Sequence, residues 1–356
     1  MREIYNKYQN YLPALFFVSG FVFDLLTTRR IDQSVSLIQQ FVYLLLIMIL
    51  IYWEVCTPKS FLKENSFANK IWSFHIETLH FLFGSLLSLY TIFYFKSSSL
   101  MTSFLFMLLL AGLLLINELP TFKKKGLRVR SALLALCLSS YFIYLVPVVT
   151  GALGVTSFVL AMVLSVSLYL IVCVRIDKVT NDKSWLNKNI LAPGLAVQFA
   201  FVLLYFLKVL PPVPVSIKYI GVYHHIERQE NQFVLSYERD WWRFWQSGAQ
   251  TFSTRQDDRI YCFVSIFSPT QFEDRVRLQW LHKDKDKGWR IHDNIPLVIK
   301  GGREQGFRGF AYKSNFSLGQ WQVRVQTSDN REVGRIYFNV QKSNAKQPRQ
   351  WRQDFY

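Results

Sequence analysis

The sequence has little cysteine for its length, with 4 cysteines among 356 residues. Cys56, Cys137 and Cys173 lie in or beside apolar runs, and Cys262 stands alone in the C-terminal part. A disulfide framework or a cysteine zinc site needs several cysteines in one domain, so this distribution excludes both from the C-terminal part. Cys262 lies inside the apolar run Ile260–Phe267, which predicts that its thiol fills space in a core.

The sequence motifs of common enzyme classes are also missing. The chain has no nucleophile elbow, phosphate-binding loop, dinucleotide fingerprint or zinc-binding helix pair. Its one pair of adjacent histidines, His224 and His225, falls on a predicted strand, where alternation sends the two rings to opposite faces. The sequence therefore predicts no catalytic residue, no metal site and no cofactor, and it favours binding over catalysis.

Long apolar runs, in contrast, fill the first 210 residues. A bilayer core about 30 Å thick needs about 20 mostly apolar residues in a helix. Seven runs approach or exceed this length: Leu12–Thr28, Ser34–Trp53, Ile71–Phe95, Leu100–Glu118, Ser131–Val149, Val155–Val174 and Ile190–Leu210. Residues 1–210 are therefore predicted to form an α-helical membrane bundle of about seven transmembrane helices. The first run lacks a cleavage pattern and is expected to be an uncleaved signal anchor.

Basic residues between the runs predict the orientation, because Lys and Arg are retained on the cytoplasmic side of a membrane. The N-terminal tail and the loops on its side carry 14 Lys and Arg, against 3 in the opposite loops. The N-terminus is therefore expected inside, and an odd number of helices places the residues after 210 outside. This bias accounts for much of the net charge of +17, so that charge does not indicate nucleic-acid binding.

Residues 217–342 have the pattern of an antiparallel β domain. Short apolar and aromatic runs alternate with turn signals such as Lys287-Gly288. The runs are Ile217–Ile226, Phe233–Tyr237, Ile260–Phe267, Val276–His282, Ile295–Lys300, Phe307–Lys313, Trp321–Thr327 and Val333–Val340. Seven or eight strands in this length predict an all-β immunoglobulin-like sandwich. In an alternative arrangement, Ile217–Tyr237 forms a hairpin stalk instead.

Two short segments flank the predicted sandwich. Residues 211–216 contain three prolines, which stop a helix and hold the chain extended, so a stiff proline-rich joint is expected there. Residues 343–356 are polar and aromatic and are predicted to form a C-terminal tail.

The C-terminal part also resembles a known family. The residues that carry this resemblance are Ile266–Thr270, Trp280–His282, Ile299–Arg303, Gly306–Phe310, Lys313, Gly319–Val323 and Gly334–Phe338. They are similar to the signature of a bacterial domain-of-unknown-function family, number 2914. In the helical half, the segments Gly20–Thr27, Arg30–Asp32, Asn117–Glu118 and Pro211–Pro214 are similar to the multi-span region that accompanies this domain in some bacterial membrane proteins. The resemblance implies a bacterial inner-membrane protein with a periplasmic sandwich, and it implies no activity.

Four ionisable residues fall within or at the ends of the apolar runs: Asp24, Glu77, His80 and Glu118. Such residues are costly in a bilayer and mark function by default. Glu77 and His80 stand three residues apart on one helix face, where an acid and an imidazole can bind a metal or relay a proton. The structural alternatives are interhelical hydrogen bonds, interfacial anchoring and, for Asp24, an ion pair with Arg29 or Arg30.

Two clusters in the outer domain are candidate ligand or partner contacts. Trp241, Trp242 and Trp245 lie in one five-residue run, and aromatic faces can stack on sugar rings or lie at a membrane interface. Core packing or a membrane collar is the alternative for them. Arg303 and Arg308 lie next to glycines, which allow the main chain to expose its amide groups. The two guanidinium groups could bind a carboxylate or a phosphate there. A tight strand connection held by ion pairs would use the same two arginines.

These observations predict an inner-membrane protein, in contact with the lipid bilayer, whose sandwich binds an envelope protein, a glycan or a second copy of itself. The alternative is a membrane enzyme or transporter in which the four ionisable residues line a cavity and the sandwich forms a lid. Clustering of those four side chains would favour the alternative.

Overall fold

A computed structural model describes residues 34–56, 72, 75–97, 126–229, 232–239, 242–268, 273–284, 286–300, 306–343 and 348–356, and also residues 104, 106, 108, 110 and 112. The side chains of residues 34, 35, 77, 273–275, 299 and 300 are not described. The chain divides into two compact units. One is built from helices and ends at Pro214, and the other is built mainly from residues 215–356.

The helical unit consists of long apolar helices. They are α1 (Ser34–Cys56), α2 (His75–Lys96), α3 (Leu127–Thr150), α4 (Val155–Thr180), α5 (Lys183–Leu186) and α6 (Ala192–Phe206), with a π-helical turn, Asn187–Leu191, between the last two. Within the described residues, five stretches are long and apolar enough to cross a membrane: Ser36–Cys56, Thr78–Lys96, Leu127–Thr150, Val155–Thr180 and Lys183–Phe206. They correspond to five of the seven predicted runs.

The prediction of seven transmembrane helices is not supported, since the described structure contains five such stretches. The run Leu12–Thr28 lies outside the described residues, and only scattered positions of Leu100–Glu118 are described. The last stretch also begins earlier than the predicted Ile190. Its helix starts at Lys183 because the Asp182 carboxylate accepts a hydrogen bond from the main-chain N–H of Trp185 (2.9 Å) and caps the first turn.

Buried hydroxyl groups join α3 and α4 to the π-helical turn. The Tyr169 hydroxyl donates to the main-chain oxygen of Ile190 (2.5 Å), and Ser131 Oγ donates to the same oxygen (3.0 Å). Tyr169 approaches this turn closely because residue 194 is glycine. A Cβ on Gly194 would lie 2.1 Å from the Tyr169 ring. A small residue at this position is thus a condition for the contact between the helices.

Three further polar contacts connect the helices. Ser139 and Ser165 place their Oγ atoms 3.1 Å apart, and Gln198 Nε2 donates to Ser165 Oγ (3.2 Å). An ion pair joins α1 to α3, where a guanidinium nitrogen of Arg130 lies 2.5 Å from Glu54 Oε1. Both side chains of this pair are largely buried. A buried polar group without a partner costs about 1–3 kcal/mol, so these contacts favour one arrangement of the helices.

The second unit is a β-sandwich, as predicted. Its strands are β1 (Ser216–Tyr223), β2 (His225–Gln229), β3 (Gln232–Tyr237), β4 (Thr251–Thr254), β5 (Ile260–Phe267), β6 (Glu273–Asp284), β7 (Gly288–Lys300), β8 (Phe307–Lys313), β9 (Gly319–Gln326), β10 (Glu332–Lys342) and β11 (Arg352–Phe355). They form sheets with the orders β1-β5-β8, β4-β10-β9-β6-β7 and β11-β3-β2. The first two sheets share one core, to which Val222 and Phe263 come from one sheet and Trp280, Val323 and Phe338 from the other.

Three features of this domain differ from the prediction. β1 pairs with β5 inside the sandwich, so the alternative of a stalk over Ile217–Tyr237 is wrong for β1. β7 begins at Gly288 rather than at the predicted Ile295, because its polar first half also pairs with β6. One face of this half meets solvent, so it lacks the apolar run on which the prediction relied. β4 was not predicted, since its four residues have little apolar character and pair with β10 in parallel.

The C-terminal residues are not a simple tail. β11 pairs with β3, and the main chain of Tyr356 exchanges two hydrogen bonds with that of Phe233 (2.6 and 3.0 Å). The Asp354 carboxylate accepts hydrogen bonds from the hydroxyls of Tyr223 (3.0 Å) and Tyr237 (3.2 Å). The last residues are therefore part of the β domain, which the sequence pattern does not reveal because their partners lie more than 100 positions away.

Arg349, which precedes β11, also binds the sandwich. Its guanidinium donates to both carboxylate oxygens of Asp258 and to the main-chain oxygen of Ser253. Burial alone would raise the pKa of Asp258, but hydrogen bonds from Arg349 and from the Arg255 N–H lower it below its ordinary value. Burial and the nearby Arg349 charge lower the pKa of His224 to about 4, so His224 is neutral at physiological pH.

Candidate functional site

An open cleft of about 540 Å³ lies on the outer face of the five-stranded sheet. Its lining residues are Gln246, Gln250, Lys283, Trp289, Gln320, Trp321, Tyr337, Phe338 and Asn339. Strand alternation explains how β10 contributes to it, because Tyr337 and Asn339 are exposed while Phe338 between them is buried. We call this feature the aromatic cleft.

Two aromatic rings meet in the aromatic cleft. The ring centroids of Trp289 and Tyr337 are 5.7 Å apart and their planes are inclined by 56°. Trp289 is on β7 and Tyr337 on β10, and β9 and β6 lie between these strands in the sheet, so the contact spans two strands. The Tyr337 hydroxyl accepts a hydrogen bond from Arg335 (3.1 Å), which is ion-paired with Glu332. This chain of contacts holds the Tyr337 ring in place.

The polar lining is rich in amides and contains no carboxylate. Primary amide side chains come from Gln246, Gln250, Gln320 and Asn339, and Lys283 supplies the one positive charge among the lining residues. Gln250 Nε2 donates to the main-chain oxygen of Tyr337 (3.2 Å), which ties the loop before β4 to β10. A primary amide both donates and accepts hydrogen bonds, so this lining can bind hydroxyl groups of a ligand.

One buried amide group lies beside the aromatic cleft. Gln322 pairs in register with Tyr337 on one side and with Leu281 on the other, and it is fully buried. Its Oε1 accepts a hydrogen bond from Arg324 (3.2 Å), while its Nε2 has no partner within the described residues. An unpaired buried N–H group costs about 1–3 kcal/mol, so a bound water or ligand hydroxyl at this position would be stabilised.

The predicted tryptophan cluster is exposed in its described part. Trp242, Phe244 and Trp245, here named the aromatic rim, have 47%, 81% and 61% of their surface exposed. Trp245 lies against both other rings, with centroids 5.5 Å and 5.3 Å apart. The alternative of core packing is therefore wrong for Trp242 and Trp245, and Trp241 lies outside the described residues. Trp245 directly precedes Gln246, which lines the aromatic cleft.

The segment that follows the aromatic rim lies beside the far end of β1. Gly248 bridges to Val222 near the end of β1, and a Cβ on Gly248 would lie 2.1 Å from the Val222 oxygen. A strand rises about 3.3 Å per residue, so Val222 lies roughly 20 Å from Ser216, where β1 begins. The aromatic rim is thus beside the end of β1 remote from the start of the domain.

Of the other predicted site residues, the described part of the chain includes only Glu77, His80 and Arg308. Arg303 lies outside the described residues, and Arg308 is half-buried on β8 opposite Ser265. Asp24 and Glu118 also lie outside them, and of Glu77 and His80 only the buried side chain of His80 is described. Among the residues described, no three metal-ligating side chains form a group.

Sequence reasoning missed most of the aromatic cleft. Its residues come from five separate segments between positions 246 and 339, and amides carry no motif. The alternation of exposed residues in β10, which includes Tyr337, Asn339 and Gln341, was the one available signal. Sequence reasoning also missed the ion pair between Glu54 and Arg130, since Arg130 was counted as a loop residue.

A family model matches part of the β domain. Residues 273–340 match a family described as a protein of unknown function, DUF2914, which confirms the predicted resemblance for this part of the chain. The match spans β6 to β10, the strands that carry most of the aromatic cleft. No curated protein has a similar sequence.

Three solved structures share partial similarity with the chain. An immunoglobulin-like protein from Pseudomonas aeruginosa is 12% identical, with a TM-score of 0.21, over 34% of this chain and 97% of that protein. A β-glucosidase from Kluyveromyces marxianus is 9% identical, with a TM-score of 0.17, over 36% of this chain and 15% of that protein. A DNA-bound alkylpurine DNA glycosylase from Pseudomonas fluorescens is 11% identical, with a TM-score of 0.19, over 85% and 77%. None of these similarities carries an argument about the fold or the function of this chain.

Proposed function

We propose that this protein is a bacterial inner-membrane protein whose periplasmic β domain binds a ligand of the cell envelope in the aromatic cleft. The observation that carries the proposal is the cleft itself, where two contacting aromatic rings and four amides surround an open volume of about 540 Å³. Cavities of roughly 300–1,000 Å³ with aromatic walls and a few polar groups are typical ligand sites. The ligand is an envelope protein, a glycan or a second copy of the chain.

The helical unit supports the membrane part of this proposal. Its helices expose large apolar side chains, including Phe41, Ile49, Val163, Ile171 and Phe199, each between 41% and 69% exposed. Water-soluble proteins rarely expose so much contiguous apolar surface, whereas a bilayer solvates it. Anchoring in the membrane would keep the β domain at one surface and raise its effective concentration there.

Reporter fusions test the orientation. A reporter that is active only in the periplasm is expected to give signal when fused after Tyr356 and none when fused after Lys125. The reason is the excess of basic residues on the N-terminal side, 14 against 3. A reporter active only in the cytoplasm, fused at the same positions, is the control. Reversed signals at the two positions would refute the periplasmic location.

Photo-cross-linking in the native host tests binding. A photoreactive amino acid at Asn339, which is exposed in the aromatic cleft, is expected to form an adduct when the cells are irradiated. The adduct should disappear when Trp289→Ala is added, because this change removes one aromatic wall. The measurement is the mobility of the full-length protein on a denaturing gel.

The matched control places the same photoreactive residue at Tyr312, which is exposed on β8 of the other sheet. A discrete band indicates a protein partner, a band of twice the mass indicates a second copy, and a broad smear indicates a glycan. Absence of an adduct at Asn339, or an equal adduct at Tyr312, would refute binding in the cleft.

A further inference from the structure

We infer that the ligand of the aromatic cleft is an oligosaccharide chain that carries carboxylate groups. This inference rests on the proposed function of the cleft as a binding site and names the class of ligand. It follows from four properties of the β domain: the placement of aromatic rings, the amide lining, the distribution of charge and the position of the cleft on the sheet.

The aromatic rings are arranged as platforms rather than as a closed pocket. Tyr337 remains 41% exposed although its ring contacts Trp289, and Trp245 at the aromatic rim is 61% exposed. An exposed ring face can stack against the apolar C–H face of a sugar and leave the sugar hydroxyls free. The exposed ring of Tyr337 in the cleft, with the exposed Trp245 one residue before the lining residue Gln246, suits a ligand with several sugar units in sequence.

The amide lining suits hydroxyl groups. Each sugar hydroxyl both donates and accepts a hydrogen bond, and a primary amide carries both functions in one plane. Four of the lining residues supply such an amide. A ligand made mostly of apolar side chains would cover these amides without offering them hydrogen-bond partners.

The charge distribution favours an anion. Lys283 is exposed at the cleft, and no lining residue is acidic. Residues 217–356 contain 23 Lys and Arg against 15 Asp and Glu, so the field of the whole domain attracts anionic chains. A nucleic acid would need several cations along its backbone, and the cleft offers one. One ammonium beside neutral amides instead fits a chain with a carboxylate on some of its sugars.

The position of the cleft disfavours an extended peptide. Peptides that add a strand to a sheet bind along a free edge. The aromatic cleft crosses the face of the five-stranded sheet, with lining residues on the inner strands β6, β9 and β10 and on β7. Main-chain groups of β6 and β9 pair with a strand on each side, and Asn339 and Val340 of β10 pair with both β9 and β4, so these groups are not available for such a peptide.

Binding of defined oligosaccharides to the purified full-length protein in lipid nanodiscs tests the inference. The acidic probes are hexasaccharides of hyaluronan, unsulfated chondroitin and heparosan, in which every second sugar carries a carboxylate, and the neutral probes are hexamers of cellulose, maltose and chitin type. We expect at least one acidic hexamer to bind, measured by calorimetry, with a dissociation constant below about 1 mM and more tightly than every neutral hexamer.

Variants locate the binding. Trp289→Ala and Tyr337→Ala are each expected to weaken binding of that acidic hexamer about tenfold, since one stacking contact contributes about 1 kcal/mol beyond burial. Tyr337→Phe keeps the ring and should bind nearly as well as the wild type. Lys283→Gln should weaken the acidic hexamer severalfold and reduce its dependence on salt. Tyr312→Ala, a matched exposed tyrosine on the other sheet, should change nothing.

The inference is overturned if no acidic hexamer binds the wild type with a dissociation constant below about 1 mM. It is also overturned if a neutral hexamer or a single-stranded oligonucleotide binds as tightly as the best acidic hexamer. The third contrary outcome is that the cleft variants bind this acidic hexamer as tightly as the wild type does. A discrete protein adduct or a dimer at Asn339 in the cross-linking experiment would also overturn it, while leaving the cleft as a binding site. Absence of any adduct there would instead refute the proposed function itself.

Discussion

Deletion of residues 344–356 is expected to lower the free energy of unfolding of the β domain by about 5 kcal/mol or more. Loss of Arg349 leaves the largely buried Asp258 carboxylate without its ion-pair partner, at about 3 kcal/mol. Loss of Asp354 and of β11 removes hydrogen bonds to Tyr223, Tyr237 and the main chain of β3, at about 1 kcal/mol each. A domain of this size is stable by about 5–15 kcal/mol, so the deletion is expected to unfold much of it.

The experiment compares two soluble fragments, residues 215–356 and residues 215–343. The longer fragment contains all the strands of the sandwich and is expected to fold alone, with cooperative unfolding in urea followed by circular dichroism. Arg352→Ala in the longer fragment is the control, because Arg352 belongs to β11 but its side chain is exposed. Equal stability of the two fragments would refute the role of the C-terminal segment. An aggregated longer fragment would refute independent folding.

Replacement of Arg130 by Ala is expected to destabilise the helical unit by about 3 kcal/mol. The change leaves the carboxylate of Glu54, which is 21% exposed, without its partner between α1 and α3, and breaking a buried ion pair typically costs about 3–5 kcal/mol. For a unit of about 200 residues this corresponds to a melting temperature lower by about 6–12 °C.

The buried thiols of Cys137 and Cys173 provide the readout, since a thiol-reactive fluorophore labels them only when the helices open. Cys56 and Cys262 would be replaced by Ala so that the signal reports on the helical unit. Arg128→Ala is the matched control, because Arg128 is exposed and donates one hydrogen bond to Asn189 (2.9 Å). That change should cost about 1 kcal/mol or less.

A double variant separates the ion pair from other effects of Arg130. Glu54→Leu combined with Arg130→Leu removes both charges, and replacing a buried pair by apolar side chains is often close to neutral. The double variant should therefore melt nearer to the wild type than Arg130→Ala does. If Arg130→Ala melts like Arg128→Ala, the pair does not contribute to the stability of the helical unit.

Local patterns in the sequence were sufficient to predict the helical part and the β domain of this protein. Apolar runs such as Val155–Val174 are close to their observed helices, because a helix in an apolar environment is coded by local composition. Strands such as β5 and β8 were predicted at their observed bounds, since alternating and apolar runs between turn residues are also local signals. The exposure of Trp242 and Trp245 was left open, because one aromatic run is compatible with both a core and a surface.

The pairs of residues that meet in space follow from the fold and not from local patterns in the sequence. Asp258 and Arg349 are 91 positions apart, and Trp289 and Tyr337 are joined across two intervening strands. Such pairs depend on the order and register of the strands. The alternation of residues in one strand indicates which face of the sheet each residue occupies, but it does not indicate which strand lies beside it. The aromatic cleft is therefore a product of sheet order, and its residues acquire a common role only when β4, β10, β9, β6 and β7 are placed side by side.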